Sequence, residues 1–144
     1  MAQILLAASA SVAIYKACDL ASKLAQDGHR VRAVLTPRAA ELVNPQLFEA
    51  VTGEPAFTTE FGPTRSSAMD HIELAKWAEL YLAAPATADL IARLAHGHAD
   101  DLVTTVALAL PAGTPKLLAP AMNPNMLAQP AVQRNLAQLT ADGW

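Results

Sequence analysis

The sequence predicts a three-layer α/β/α protein built on a doubly wound parallel sheet, and three observations carry that prediction. Short apolar runs alternate with helical patterns, and each run ends in a small or hydroxylated loop. The 144 residues are 53% hydrophobic but only 5% aromatic, so the interior is made of Ala, Leu and Val, which suits helices lying close on a parallel sheet. No internal repeat or low-complexity linker breaks the pattern, so residues 1–144 form a single domain large enough for a real core.

Gln3 to Ala8 is a continuous apolar run and forms the first strand. Ser9-Ala10-Ser11 is a tight loop, and the pattern through Leu20 and Leu24 is a helix closed by Asp27-Gly28. Arg30 to Leu35 alternates into a β-branched strand that stops at Thr36-Pro37. Ala39 to Val43 and Gln46 to Val51 form two short helices parted by Asn44-Pro45. Periodicity fades from Gly53 to Ala68, which marks a mobile loop or flap. Leu74 to Glu79 completes a helical turn, and Leu80 to Ala84 is a strand stopped by Pro85. Thr87 and Asp89 open a helix to His96, ended by Gly97. Asp100 to Ala109 is a helix, Lys116 to Ala119 a strand, and Ala131 to Leu139 the closing helix. Ala141-Asp142-Gly143-Trp144 reads as a helix stop, after which this fold calls for another strand, so the expectation is that the natural protein continues.

A formal charge of -3 with scattered Lys and Arg speaks against a nucleic-acid surface. One cysteine, Cys18, cannot form an internal disulfide, and no apolar stretch of roughly 18 residues provides a membrane span. A cytosolic protein is expected, with neither membrane nor nucleic acid as partner.

Ligands of such folds sit beyond the carboxyl ends of the strands. Here those ends carry Ser9-Ala10-Ser11, Thr36, Ala86-Thr87-Ala88 and the segment Pro120-Ala121-Met122-Asn123-Pro124-Asn125-Met126. Free N–H groups and hydroxyls at Ser9 and Ser11 could cradle a phosphate, or these residues could simply cap the helix; no basic residue adjoins them. The Asn123 amide offers two donors and an acceptor without charge, enough to orient a carboxylate, while Pro-Ala-Met-Asn-Pro also reads as an ordinary turn. His71 could exchange a proton at cellular pH or serve as a hydrogen-bonded structural histidine. His96 and His98 match no familiar metal site, and no metal is expected. Cys18 reads as a small core residue, and Met122 and Met126 as packing, possible against a flat ring.

Across its whole length the chain resembles the flavin-dependent cysteine decarboxylases. The matching pieces are Ser9-Ala10-Ser11-Val12-Ala13-Ile14-Tyr15-Lys16, His71-Ile72-Glu73-Leu74-Ala75-Lys76-Trp77-Ala78, Ala84-Pro85-Ala86-Thr87-Ala88-Asp89-Leu90-Ile91, Ala95-His96-Gly97 with Ala99-Asp100-Asp101-Leu102, and Pro120 to Met126. The resemblance implies a flavodoxin-like, Rossmann-like fold and a homo-oligomer, trimer or dodecamer, with FMN near a subunit interface. It places Ser9, Ala10, Ser11 and Thr36 at the phosphate and ribityl chain, and Ala86, Thr87 and Ala88 along the flavin. It makes His71 the base that assists loss of a thiol proton, and Asn123, with Met126 beside it, the grip on the carboxylate of a small cysteine-containing substrate.

The implied chemistry moves hydride from the carbon beside sulfur to FMN; the resulting C=S group is the electron sink that lets carbon dioxide leave. The substrate implied first is 4'-phosphopantothenoylcysteine of coenzyme A synthesis. The alternatives are a C-terminal peptidyl cysteine and a non-catalytic flavin-binding regulatory subunit. Two departures stand out: Leu127 replaces a common Trp, and the cysteine of the family's C-terminal substrate flap is absent, Cys18 having no correspondence to it. The flavin ring is expected in a crevice between His71 and Asn123.

Overall fold

The structure is a computed structural model and describes residues 1–61 and 69–144. In chain order the elements are β1 (Gln3–Ala8), α1 (Ile14–Gln26), β2 (Arg30–Leu35), α2 (Pro37–Leu42), α3 (Gln46–Thr52), β3 (Ala56–Phe57), α4 (Asp70–Trp77), β4 (Leu80–Ala86), α5 (Ala88–Ala95), α6 (Leu102–Ala109), β5 (Lys116–Pro120), α7 (Pro124–Leu127) and α8 (Pro130–Ala141). The strands pair in the order β3-β2-β1-β4-β5, and every pairing is parallel.

β1 is central, with Ile4 opposite both Val31 and Leu80. Its continuous apolar run follows from this place, because both faces are covered. Leu5 and Ala7 pack with Leu74, Leu90, Val103 and Leu139 from α4, α5, α6 and α8. Ile4, Leu6 and Ala8 pack with Ile14, Ala17 and Ala21 of α1 and with Phe48 of α3. Leu5, Leu6 and Phe48 are fully buried, each stabilising the fold by about 1.5–3 kcal/mol. The expected three layers are thus present. Gly28, at φ +91, turns the chain from α1 into β2 in a conformation that a side chain would strain.

Two expectations need correction. Pro85 does not stop its strand: β4 continues to Ala86, the Ala84–Pro85 peptide is cis, and pairing with β5 shifts between Ala83 and Ala86. A proline cannot donate to a ladder, but its carbonyl can accept, and Pro85 O takes the Ser9 N–H at 3.1 Å. The aperiodic stretch beginning at Gly53 contains β3, which pairs Ala56 and Phe57 with Ala33 and Val34 of β2. Two residues are too few to show a period. Residues 62–68 of the expected flap lie outside the described residues.

Tyr81 of β4 is fully buried, donates its hydroxyl to Val103 O at 2.8 Å and meets Trp144 edge-on at 5.7 Å. Burial pushes its phenol far above the ordinary tyrosine range.

Candidate functional site

From β1 the chain crosses to β2 on one side, whereas β4 lies on the other, so the topological switch point falls between β1 and β4. The loops that leave these strands part there, and a ligand crevice belongs at their carboxyl ends. A cleft of about 510 Å³ opens at that place, lined by Ser9, Ala10, Thr36, Thr87, Ala88 and Met126 among others. Its size is within the range of small-molecule sites.

The hydroxyls have unequal freedom. Ser9 Oγ donates to Pro85 O at 2.6 Å and accepts the Thr87 N–H at 2.9 Å, and the residue is 2% exposed. It is a strut between β1 and the loop after β4. Neither Ser9 nor Ser11 is the helix cap, because the N-cap of α1 is Ala13, without a side-chain bond; Ser11 Oγ accepts the Ala13 N–H at 3.1 Å. Thr36 caps α2 by accepting the Ala39 N–H at 3.1 Å, and Thr87 caps α5 by accepting the Leu90 N–H at 3.2 Å. A capping hydroxyl spends an acceptor and keeps its proton, so Thr36 and Thr87 retain donors for a ligand.

One wall of the cleft is charged. Arg93 reaches Asp89 at 2.9 Å, Asp100 at 3.2 Å and Asp101 at 2.7 Å. Burial alone would lower its pKa, but Asp101 and then Asp89 outweigh burial and hold the guanidinium charged. Asp101 also caps α6, accepting the Thr104 N–H at 2.9 Å. Arg93 is therefore a committed cation. Arg38, two residues beyond Thr36, is exposed, lines the same cleft, and makes no ion pair among the described residues. The sequence shows no base beside Ser9-Ala10-Ser11; folding brings one from the end of β2.

His71 lies in the first turn of α4. That helix leads into the start of β4 and so begins at the carboxyl edge of the sheet. Its Nδ1 is 2.6 Å from Glu60 Oε1, with side chains 23% and 16% exposed. Asn123 is the N-cap of α7, its Oδ1 accepting the Met126 N–H at 3.0 Å. Its amide NH₂ makes no hydrogen bond among the described residues, so both donors are available. Five of the expected cofactor residues, Ser9, Ala10, Thr36, Thr87 and Ala88, meet at the cleft, as does Met126; Ser11, Ala86, His71 and Asn123 do not line it. Ala86 is fully buried. Cys18 packs from α1 against the core, and burial, then Asp19, pushes its thiol up.

A polar cleft at the switch point of a doubly wound parallel sheet, lined by hydroxyls and by a guanidinium that makes no ion pair among the described residues, defines an α/β protein with a small-molecule site at its strand ends. Comparison with known proteins narrows this class. The model of the Flavoprotein family matches residues 1–144. The chain is 42% identical to a probable phosphopantothenoylcysteine decarboxylase of Streptococcus mutans, over 99% of this chain and 79% of that protein. It is 44% identical to the coenzyme A biosynthesis bifunctional protein CoaBC of Bacillus subtilis, over 98% of this chain and 34% of that protein, and so spans about a third of its length. The crystal structure of the FMN-dependent cysteine decarboxylase SpaF superposes with a TM-score of 0.90 at 34% identity, covering 100% of this chain and 82% of that one. The chain belongs to the Flavoprotein family, among the flavin-dependent cysteine decarboxylases.

Proposed function

We propose that the chain binds FMN and decarboxylates the cysteine carboxylate of 4'-phosphopantothenoylcysteine. The observation that carries the cofactor reading is the cleft itself: donors converge where the phosphate of a nucleotide-like group would sit, and among the described residues Arg38 brings positive charge that nothing else claims. These residues fit FMN. Thr36 and Arg38 would hold its phosphate, Ser9 would keep the Thr87 loop in place, and Ala10, Thr87, Ala88 and Met126 would line the ring. Bound flavin supplies the two-electron acceptor that a cysteine carboxylate lacks.

The remaining work falls to this chain's side chains. The Asn123 NH₂ donates two hydrogen bonds to the substrate carboxylate while its oxygen stays on the Met126 N–H, so the amide is oriented before substrate arrives. His71 Nε2 takes the thiol proton. His71 and Asn123 stand outside the single-chain cleft, and Val12 and Tyr15 are 89% and 64% exposed beside the Ser11 loop. A homo-oligomer that covers these apolar residues would bring the base and the carboxylate grip of one chain toward the cleft of the next. The substrate choice draws on the likeness to the Streptococcus mutans protein over most of its length. The 0.90 superposition on SpaF, an FMN-dependent cysteine decarboxylase, is compatible with a cysteine carboxylate in another setting, and a peptide with a C-terminal cysteine is the second reading.

The test is to load the protein with FMN, supply 4'-phosphopantothenoylcysteine or a cysteine-ended peptide, and weigh the products. Loss of carbon dioxide from the first alone is expected. Reaction of the peptide alone transfers the assignment to the second reading, and reaction of neither overturns catalysis. His71→Asn should stop turnover and leave FMN bound.

A further inference from the structure

We propose that Arg93 sets the affinity of the cleft for the cofactor phosphate, acting as the countercharge to three carboxylates that the fold places on the same wall. This rests on the reading of the cleft as the FMN site.

The cleft is lined by Asp89, Asp100 and Asp101 as well as by the guanidiniums of Arg38 and Arg93. A phosphate ester carries about -1.5 to -2 charge at pH 7, so the carboxylates oppose the group that the cleft is read to hold. The fold puts them there for reasons of its own. Asp101 is the N-cap of α6, its Oδ1 accepting the Thr104 N–H at 2.9 Å. Asp89 lies in the first turn of α5, where the helix dipole favours negative charge. Both helix starts therefore already carry an anion of the protein's own.

Arg93 answers all three carboxylates. Its Nε donates to Asp89 Oδ2 at 2.9 Å, and Nη1 donates to Asp100 Oδ1 at 3.2 Å and to Asp101 Oδ2 at 2.7 Å. Gly97, at φ +70, turns the chain after α5, and Asp100 and Asp101 come back beside Arg93. The Arg93 and Asp101 side chains are 16% and 9% exposed, so salt screens their charges little; those of Asp89 and Asp100, at 67% and 65%, are mostly in water. The three bonds hold the guanidinium against the wall, and it acts on an anion through the charge that it cancels. Without it, the three carboxylates would face Arg38 alone among the charged lining residues.

Titration of FMN-stripped protein with FMN and with riboflavin, which lacks the phosphate, separates this role from a structural one; quenching of flavin fluorescence gives both Kd values. Wild type should prefer FMN. Arg93→Gln should raise Kd for FMN about 5- to 20-fold at low ionic strength, keep that for riboflavin within about twofold, and lose most of its FMN defect at about 0.5 M salt. Arg93→Lys, which keeps the charge, should stay within about threefold of wild type. Adding Asp89→Asn and Asp100→Asn to Arg93→Gln should restore FMN binding, and these two exposed substitutions alone should tighten it severalfold beyond wild type. Equal, salt-independent losses of FMN and riboflavin in Arg93→Gln would make Arg93 a structural brace and overturn the proposal. A loss confined to FMN that the Asn substitutions fail to repair would make Arg93 a direct phosphate ligand, which also overturns it. If Arg93→Gln does not fold, Asp89→Asn with Asp100→Asn decides alone, and unchanged or weaker FMN binding refutes the countercharge. If wild type holds riboflavin as tightly as FMN, the reading of the cleft as a phosphate site fails first, and the role of Arg93 falls with it.

Discussion

Replacing Ser9 with Ala separates a strut from a ligand. Its hydroxyl donates to Pro85 O at 2.6 Å and accepts the Thr87 N–H at 2.9 Å, in a site 2% exposed. Pro85 O keeps the Ser9 N–H at 3.1 Å, so it remains paired. The Thr87 N–H loses this partner. Two hydrogen bonds of about 1 kcal/mol each, one of which leaves a donor stranded, predict a loss of about 2–3 kcal/mol. For 144 residues the entropy of unfolding is about 0.30 kcal/mol/K, so Tm should fall by roughly 7–10 °C. Calorimetry of the protein stripped of FMN measures this without interference from the ligand. FMN titration should then show Kd raised by less than about tenfold, because two of the hydroxyl's three bonding positions are already occupied. An FMN-free Tm within about 2 °C of wild type would refute the strut, and a large loss of FMN affinity alongside it would make Ser9 a direct ligand.

Two further outcomes follow from the same geometry. Asn123→Asp keeps an oxygen for the Met126 N–H, and so keeps the α7 cap, but exchanges two donors for a negative charge. Its kcat/KM should fall at least about 100-fold with little change in Tm, and a near-normal value would remove Asn123 from the carboxylate site. Glu54 bridges Arg30 at 2.7 Å and Arg32 at 2.9 Å, beside Trp77, whose ring lies 4.4 Å from the Arg32 guanidinium. Burial alone would raise its carboxyl pKa, but the two guanidiniums outweigh burial and hold it below the usual value. A depressed folded-state pKa gives stability that is present above the unfolded value, about 4.3, and is lost as pH falls through the lower folded value. Urea midpoints should therefore separate wild type from Glu54→Gln at pH 7 and converge with acidification. A gap that stays constant into the range below pH 4 would show that the ion pair contributes nothing.

Much of this protein can be read directly from the chain. Gln3–Ala8, Arg30–Leu35 and the helices around them are long enough to display a period, and their boundaries lie within a residue or two of those expected. The hydroxyls at Thr36 and Thr87 were visible because strand ends in a parallel sheet are marked by small polar residues before a helix, and both occupy the cleft. Periodicity could not reveal β3, with two residues, or the passage of β4 through Pro85 to Ala86, where the Pro85 carbonyl accepts the Ser9 N–H at the end of neighbouring β1.

The apolar pattern alone determined the layered fold, since burial on both faces dictates continuous runs and local propensity does the rest. Strand order decided the site. Ser9 finds its partners 76 and 78 residues away; Arg38 is left without an ion pair among the described residues while Arg93 gathers the nearby carboxylates; and Glu60 meets His71 because a turn and a helix start arrive at the same edge. Those assignments depend on which groups become neighbours once β1 lies between β2 and β4, and a side chain's charge or hydroxyl carries no record of its neighbour until the sheet is assembled.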